Sequence, residues 1–497
     1  MKFKTIGAIA CAVMIFVTVL NWPVFFVGQK TDRYQQHLDA PEKTPCADDA
    51  HDNTTLCTHL PIISIDTGGV EIPGKAIKEK NKTVGYTTAA DGSDRIVGTI
   101  DTFDSQTNYN HPTDTPTTES QMTIHVRGNS SRTFDKLGYR INLMDSNGKN
   151  NSQSLLGMDA HHEWALHGPI LDKTLMRNYM WYNIAGEIMD YAPNVRFCEL
   201  IINGEYMGVY VLEEIITAGD TEGSRLNVKA SAKDNMFTGY VLLLDRLDDP
   251  DSIGHLNSFT TYTLRTNMNL EIVYPGKSNL TSEIYTGIKD DFSAFEKALY
   301  SYDYDNQDYG YETLIDVDSF IDYFLINEFT CNYDAGWLST YMYKDINGKF
   351  QMCIWDFNSA CDNYQQSMIN SDRFEMQKCL WYFMLFKDEA FTQRCVDRYY
   401  ELRKTYLSEE YLYNYIDEVA AYLGDAIDRN YEKWGYTFGP EHDLLKPEER
   451  NPRNYQESID NMKAFIHDRG DWMDRNIESI KQYSAPSAVK KFNENAN

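Results

Sequence analysis

Apolar and polar positions change period several times along this chain, and each change marks an element. Met122, Ile124 and Val126 alternate with polar residues, as a half-buried strand does. Residues 61–66 predict an earlier strand, ended by Thr67, Gly68 and Gly69, and residues 139–143 a later one. Residues 195–202 and 206–212 predict two strands joined by Asn203-Gly204, a tight-turn pair. Residues 239–245 read as further sheet. Helical spacing takes over after Asp172, which reads as the N-cap of a helix carrying Leu175, Met176, Tyr179, Tyr182 and Ile188. It returns after Asp318 with Phe320, Ile321, Phe324, Leu325 and Phe329. A second hairpin follows: residues 340–343, the turn Asn347-Gly348, and residues 350–355. Beyond Gln377 the pattern is mainly helical and aromatic. Residues 101–119, rich in Thr, Asn, Asp and Pro, predict a surface loop.

The N-terminus breaks from this pattern. Lys2 and Lys4 precede an apolar run over residues 6–27, long enough to cross a bilayer. No Ala-x-Ala closes the run, where Phe26 precedes Val27 and Gly28, which favours an uncleaved membrane anchor; a cleaved, secreted product is the alternative. The two lysines orient the bulk of the chain outside the cytoplasmic membrane. The expected organisation is an anchor over 1–28, a polar linker over 29–59, one domain over 60–483 and a flexible tail over 484–497. Cys46 and Cys57 bracket a short polar loop and suit a disulfide in an extracytoplasmic setting. The other cysteines beyond the anchor sit in apolar surroundings, as buried thiols do. The formal net charge of −28 disfavours nucleic acid as a partner, with no basic stripe in the sequence to offset it. An anionic ligand therefore needs a local cluster of Arg and Lys.

Two aspartates carry the candidate chemistry. Asp334 precedes the second hairpin and Asp356 follows it, so both return to the same end of that hairpin. Two carboxylates there can hold a divalent cation and orient an attacking hydroxyl, which is the layout of a phosphoryl-transfer site. Turn capping is the alternative fate of loop aspartates. Residues 127–132, Arg-Gly-Asn-Ser-Ser-Arg, join two strands and offer backbone N–H groups, hydroxyls and fixed charge to a phosphate. An ordinary polar turn is the alternative. Lys136 lies within reach of such a phosphate, and Glu187 is its candidate partner. Glu213 and Glu214 fall where a nucleotide base or ribose would meet the link between two lobes. Asn358 or Asp362 can complete a metal site with Asp356. His161 and His162 read as surface residues.

The order of parts is that of a protein kinase: strand, glycine loop, strand, helix, two strands, acidic link, then the paired aspartates. It predicts an α+β, atypical protein-kinase-like fold of two lobes, sheet-rich at the N-terminal side and mainly helical at the C-terminal side. The sequence resembles the CotH kinase family, the spore-coat-protein-H-like atypical protein kinases, over residues 60–480. The resemblance rests on residues 127–132, Lys136, residues 155–158, Met176-Arg177-Asn178, residues 203–210, Tyr274-Pro275, Asn332-Tyr333-Asp334 and Trp355-Asp356-Phe357-Asn358. It implies ATP with Mg²⁺ or Mn²⁺ and transfer to Ser or Thr of a protein acceptor. It assigns catalysis to Asp334 and the metal to Asp356, with Asn358 beside it. Arg127, Asn129, Ser130, Ser131, Arg132 and Lys136 would hold the phosphates, with Glu213 at the nucleotide. Leu137 and Ser339 depart from the family pattern, each replacing a residue expected to be basic or metal-binding. The acidic chain favours basic acceptors. A non-catalytic envelope module and a transferase acting on a non-protein envelope acceptor are the competing readings.

Overall fold

Strict alternation in the first half of the chain produces a closed structure. A computed structural model describes residues 33–46, 56–80, 82–219, 225–226, 228, 238–246, 252–259 and 268–496. Seven strands take part: β1 (Ile62–Asp66), β4 (Ile96–Phe103), β5 (Thr118–Arg127), β6 (Gly138–Met144), β7 (Glu163–His167), β8 (Val195–Ile202) and β9 (Glu205–Glu214). Between β1 and β4 lies a small hairpin of β2 (Ala76–Glu79) and β3 (Lys82–Tyr86). The seven close into a barrel in the order β1–β4–β5–β6–β7–β9–β8, antiparallel except where β1 and β8 meet in parallel. Every second residue points inward, so Ile65, Ile124, Ile141, Trp164, Leu200 and Leu212 fill the interior together.

The outer faces of β8 and β9 are apolar too. Phe197, Val209 and Val211 leave the barrel and join a second, larger core. That core gathers helix α1 (Arg177–Ile188), a second sheet and most of the helices. The second sheet has the order β11–β12–β10–β13–β14, built from β10 (Tyr240–Arg246), β11 (His255–Leu256), β12 (Met268–Tyr274), β13 (Thr340–Lys344) and β14 (Gln351–Cys353). Helices α2 (Ser282–Leu299), α3 (Val317–Thr330), α4 (Glu389–Leu402), α5 (Glu409–Leu423), α6 (Asp425–Trp434), α7 (Tyr455–Asn476) and α8 (Ala488–Ala496) complete the chain.

This architecture corrects the expected two-lobed kinase fold. The strand-rich half is a closed barrel, and a five-stranded sheet runs through the part expected to be mainly helical. Residues from Tyr34 onward form one compact unit. The physical reason is non-local pairing: β10 is sandwiched between β12 and β13, and hydrophobic period carries no trace of partners so distant in sequence. The predicted membrane segment over 6–27 lies outside the described residues. Among the described residues no helix is long and apolar enough to cross a membrane.

Smaller departures have local causes. Within the expected linker, Gln36 is buried and its amide pairs with the backbone of Phe197, donating to the carbonyl and accepting from the N–H. Cys46 and Cys57 are joined by a disulfide. The expected tail holds α8, and Tyr304 donates to the Ala485 carbonyl just before it. Helix α3 is capped by Asp316, whose carboxylate accepts from the Ser319 N–H, while Asp318 pairs with Arg394. His161 is buried and stacks on His162 at 4.4 Å.

A buried ion pair holds α3 and α7 to the segment that follows the second hairpin. Glu328 and Arg469, both fully buried, form a direct pair. The Glu328 carboxylate also accepts from the N–H groups of Glu375 and Met376, and Arg469 donates to the carbonyls of Ser371 and Arg373. Removing one partner strands a charge in the core. Arg469→Ala is expected to lower unfolding free energy by about 3–5 kcal/mol, read by urea denaturation.

Candidate active site

Helix α1 supplies the frame of the site. It is buried on nearly every side, so its polar side chains must find partners inside the protein. The Arg177 guanidinium donates to the carbonyls of Ala360 (2.9 Å) and Cys361 (3.4 Å) and to Asp172. Asn178 donates to a Glu213 carboxylate oxygen at 2.7 Å and accepts from the Phe357 N–H at 2.9 Å. One turn on, the Tyr182 hydroxyl accepts from the Asp356 N–H at 2.9 Å. Together these groups hold residues 356–361, including Asp356 itself in the left-handed region at φ 55°. A non-glycine residue stays there only when its surroundings impose it.

Asp334 comes from the loop after α3, on the way into β13. Gly336 lets that loop close at φ +82°, where a Cβ would lie 2.9 Å from the Cys379 side chain. Asp334 and Asp356 lie within electrostatic reach of each other. Burial and the Asp356 charge push the Asp334 carboxyl up to about 6, with Asp245 adding to the rise and Arg246 opposing it. Burial also raises Asp356, aided by Asp245 and opposed by Arg127, by the Asn358 N–H and by Arg246. Asp245 and Arg246 end β10; the sequence reading took this stretch as plain sheet, and no local signal marked it as part of a site.

Strand register builds the opposite wall. On the outer face of the barrel, His125 pairs with Arg140, Arg140 with Ala165, and Ala165 with Glu213. Arg127, two residues beyond His125, donates to Glu213 at 3.1 Å and lies over the Trp355 ring at 5.3 Å. Arg95, His125, Arg127, Arg140 and Glu163 line a cleft of about 240 Å³ on this face. His125 is pushed down to about 4 by burial and the charges of Arg95 and Arg140, so the positive charge of this wall is carried by arginines, Arg95 paired with Asp94 and Arg140 with Glu163, each at 2.9 Å. Glu213 is raised to about 6 by burial, against the pull of Arg127 and Asn178.

The structure thus brings Asp334, Asp356, Arg127 and Glu213 into one neighbourhood. The rest of the predicted phosphate loop behaves differently. Asn129, Ser130 and Ser131 form a short turn closed by the Phe134 N–H donating to the Ser131 carbonyl. Arg132 stacks on Tyr86 at 4.5 Å, from where its charge still reaches His125. Lys136 is buried, and its ammonium donates to the Val209 carbonyl and to Asn430, each at 2.7 Å. It ties the barrel to α6 instead of reaching a phosphate. Glu187 accepts from Gln35. The Asn358 side-chain oxygen accepts from the Ser359 hydroxyl, and Asp362 pairs with Arg450. The sequence reading missed the roles of Arg140, Asp245, Arg246 and Trp355.

Residues 124–473 match the family described as CotH kinase protein. The chain belongs to the CotH kinase family. The matched stretch begins in β5, ends in α7 and contains the residues of the two walls except Arg95 and Thr123. No curated protein matches the sequence. A CotH kinase in general uses ATP and a divalent cation to phosphorylate a protein. Among the described residues of this one, no group of three His, Cys, Asp or Glu is close enough to hold a metal ion. Asp334, Asp356 and Asp245 nonetheless crowd negative charge that Arg127 and Arg246 leave partly unbalanced. That excess suits Mg²⁺, which takes one or two carboxylates and completes its shell with water and substrate phosphate.

Asn178 couples the two walls, because it holds Glu213 with one end and Phe357 with the other. Asn178→Leu is expected to lower unfolding free energy by about 2–4 kcal/mol, since a carboxylate and an N–H both lose buried partners. Urea denaturation checks it.

Proposed function

We propose that this CotH kinase transfers the γ-phosphoryl group of ATP to a Ser or Thr hydroxyl of a protein acceptor, outside the cytoplasmic membrane. The observation that carries the reading is the approach of Asp334 to Asp356, with Arg127 of the arginine-lined cleft within electrostatic reach of Asp356. The Cys46–Cys57 disulfide supports an oxidising compartment.

Phosphoryl transfer spreads negative charge over the moving group, so positioning and fixed positive charge supply most of the catalysis. Arg127 and Arg140 neutralise and orient the nucleotide phosphates. Arg127 is itself kept in place by Glu213. Asp334 accepts a hydrogen bond from the acceptor hydroxyl and takes its proton as the oxygen bonds to the γ-phosphorus. The bond from that phosphorus to the β–γ bridging oxygen breaks, and ADP departs. A bound Mg²⁺ or Mn²⁺, held by Asp356 with Asn358 alongside, would supply further charge neutralisation at the phosphates. Asp356 is kept in its strained backbone conformation by Tyr182 and, through Phe357, by Asn178.

With labelled ATP and Mg²⁺ or Mn²⁺, the full chain is expected to label Ser or Thr of a basic, Ser-rich protein. Asp334→Ala is expected to slow this by about 10²-fold or more. Asp356→Ala should abolish it while the protein stays folded by circular dichroism. Transfer retained by Asp356→Ala would remove that residue from the mechanism.

Stability gives an independent check on Asp334. Its carboxyl titrates at about 6 when folded against 3.8 for the free group. Between those values the folded protein holds the extra proton, so stability falls as pH rises through that window. In metal-free buffer, Asp334→Asn is expected to melt above wild type at pH 7.5, and the gap should close below pH 4.

A further inference from the structure

Asp334 also borders a second cleft, of about 360 Å³, that shares no residue with the arginine-lined one. Its floor is apolar: Leu338, Ile369, Met376 and Cys379 are all buried. Trp337 and Tyr333 flank it, and Tyr333 is held by stacking on Tyr364 at 3.8 Å. The charged residues Glu375 and Lys378 pair with each other at 3.6 Å. Asp334 and the buried Asn332 are therefore the polar groups on one side of a recess whose remaining charges, Glu375 and Lys378, pair with each other. The recess is also preformed. The buried Glu328–Arg469 pair fixes residues 371–376, and Gly336 lets the Asp334 loop pack against Cys379.

We propose that this cleft binds a large apolar side chain, Leu, Met or Phe, of the acceptor polypeptide beside its reacting hydroxyl. The inference rests on the proposed role of Asp334, because a cleft bordering the group that receives the hydroxyl is bordered by the acceptor chain. In an extended peptide the side chain two positions from the hydroxyl residue points to the same side, about 7 Å along. A hydroxyl at Asp334 thereby delivers that neighbour to the recess. The net charge of −28 draws basic chains to the protein from a distance, but nothing in the cleft itself selects a cation. Selection here is by apolar fit, which separates a large side chain from a small one by about tenfold or more.

The test uses the full chain and nine-residue peptides with one Ser in a Gly/Lys background, carrying Leu, Phe or Ala two positions before or after it. Binding without ATP is read as the fluorescence change lost in Trp337→Phe, and transfer is read separately with labelled ATP. Leu or Phe peptides are expected to bind about tenfold more tightly than Ala peptides, and Ile369→Phe, which fills the recess, should cancel the difference. Equal binding of all three peptides to wild type, or a preference that survives Ile369→Phe, overturns the proposal. Should Ile369→Phe fail to fold, the wild-type series decides alone. Preference without label keeps the cleft and overturns the kinase reading. Label without preference keeps the kinase reading and overturns the cleft, and neither binding nor label overturns both.

Discussion

Asn178 has an amide with two ends, and each end holds a different half of the site. Its NH₂ group fixes Glu213, which fixes Arg127 on the barrel; its oxygen fixes Phe357, next to Asp356. Because the amide is planar, the barrel wall and the Asp356 loop keep one separation. The frame works only because α1 is buried almost all round. A polar side chain on an exposed helix would be satisfied by water and would position nothing. Here water is excluded, and Arg177, Asn178 and Tyr182 must instead satisfy the backbone of residues 356–361. The left-handed turns at Asp356 and Cys361 are sustained by those bonds, and the one at Asp362 by Arg450.

Electrostatics in the site run against the charge of the whole molecule. The chain is strongly acidic, yet the barrel's outer face gathers arginines, and burial together with the charge of Arg95 and Arg140 suppresses protonation of His125. Arginine keeps its charge when partly buried, and its planar fork suits phosphate oxygens. Beside Arg127 the balance reverses: burial raises Asp334 and Asp356, with the charge of Asp356 adding to the rise at Asp334 and that of Asp245 to both. Fixed positive charge and clustered carboxylates thus lie within electrostatic reach of each other.

Several elements were legible because they are set by neighbours in the sequence. Period-2 alternation marked β5, strand-prone runs marked β1 and β6, and Asn-Gly turns marked the β8–β9 and β13–β14 hairpins. The juxtaposition of Asp334 and Asp356 follows from that hairpin, since out-and-back strands return their ends to one place. Features that depend on distant pairing left no mark. Nothing near Asp245 signals that β10 lies beside β13. The row from His125 to Glu213 is written in the register of four strands, not in any motif. Lys136 stands in a family motif, but its reach is set by Asn430, far along the chain in α6. Gln36 looked like linker because glutamine is polar, yet its amide imitates a strand neighbour for Phe197.

Barrel closure reaches beyond the stretch that identifies the family. The match begins at residue 124, whereas β1 and β4 lie before it and join β8 to β5 around the ring. Cut to the matched residues, the sheet would open along two edges, each a ladder of unanswered N–H and carbonyl groups. Such edges recruit other strands, including copies of themselves. The arginine-bearing wall of the barrel thus keeps its strands paired through β1 and β4, which lie outside the stretch that identifies the family.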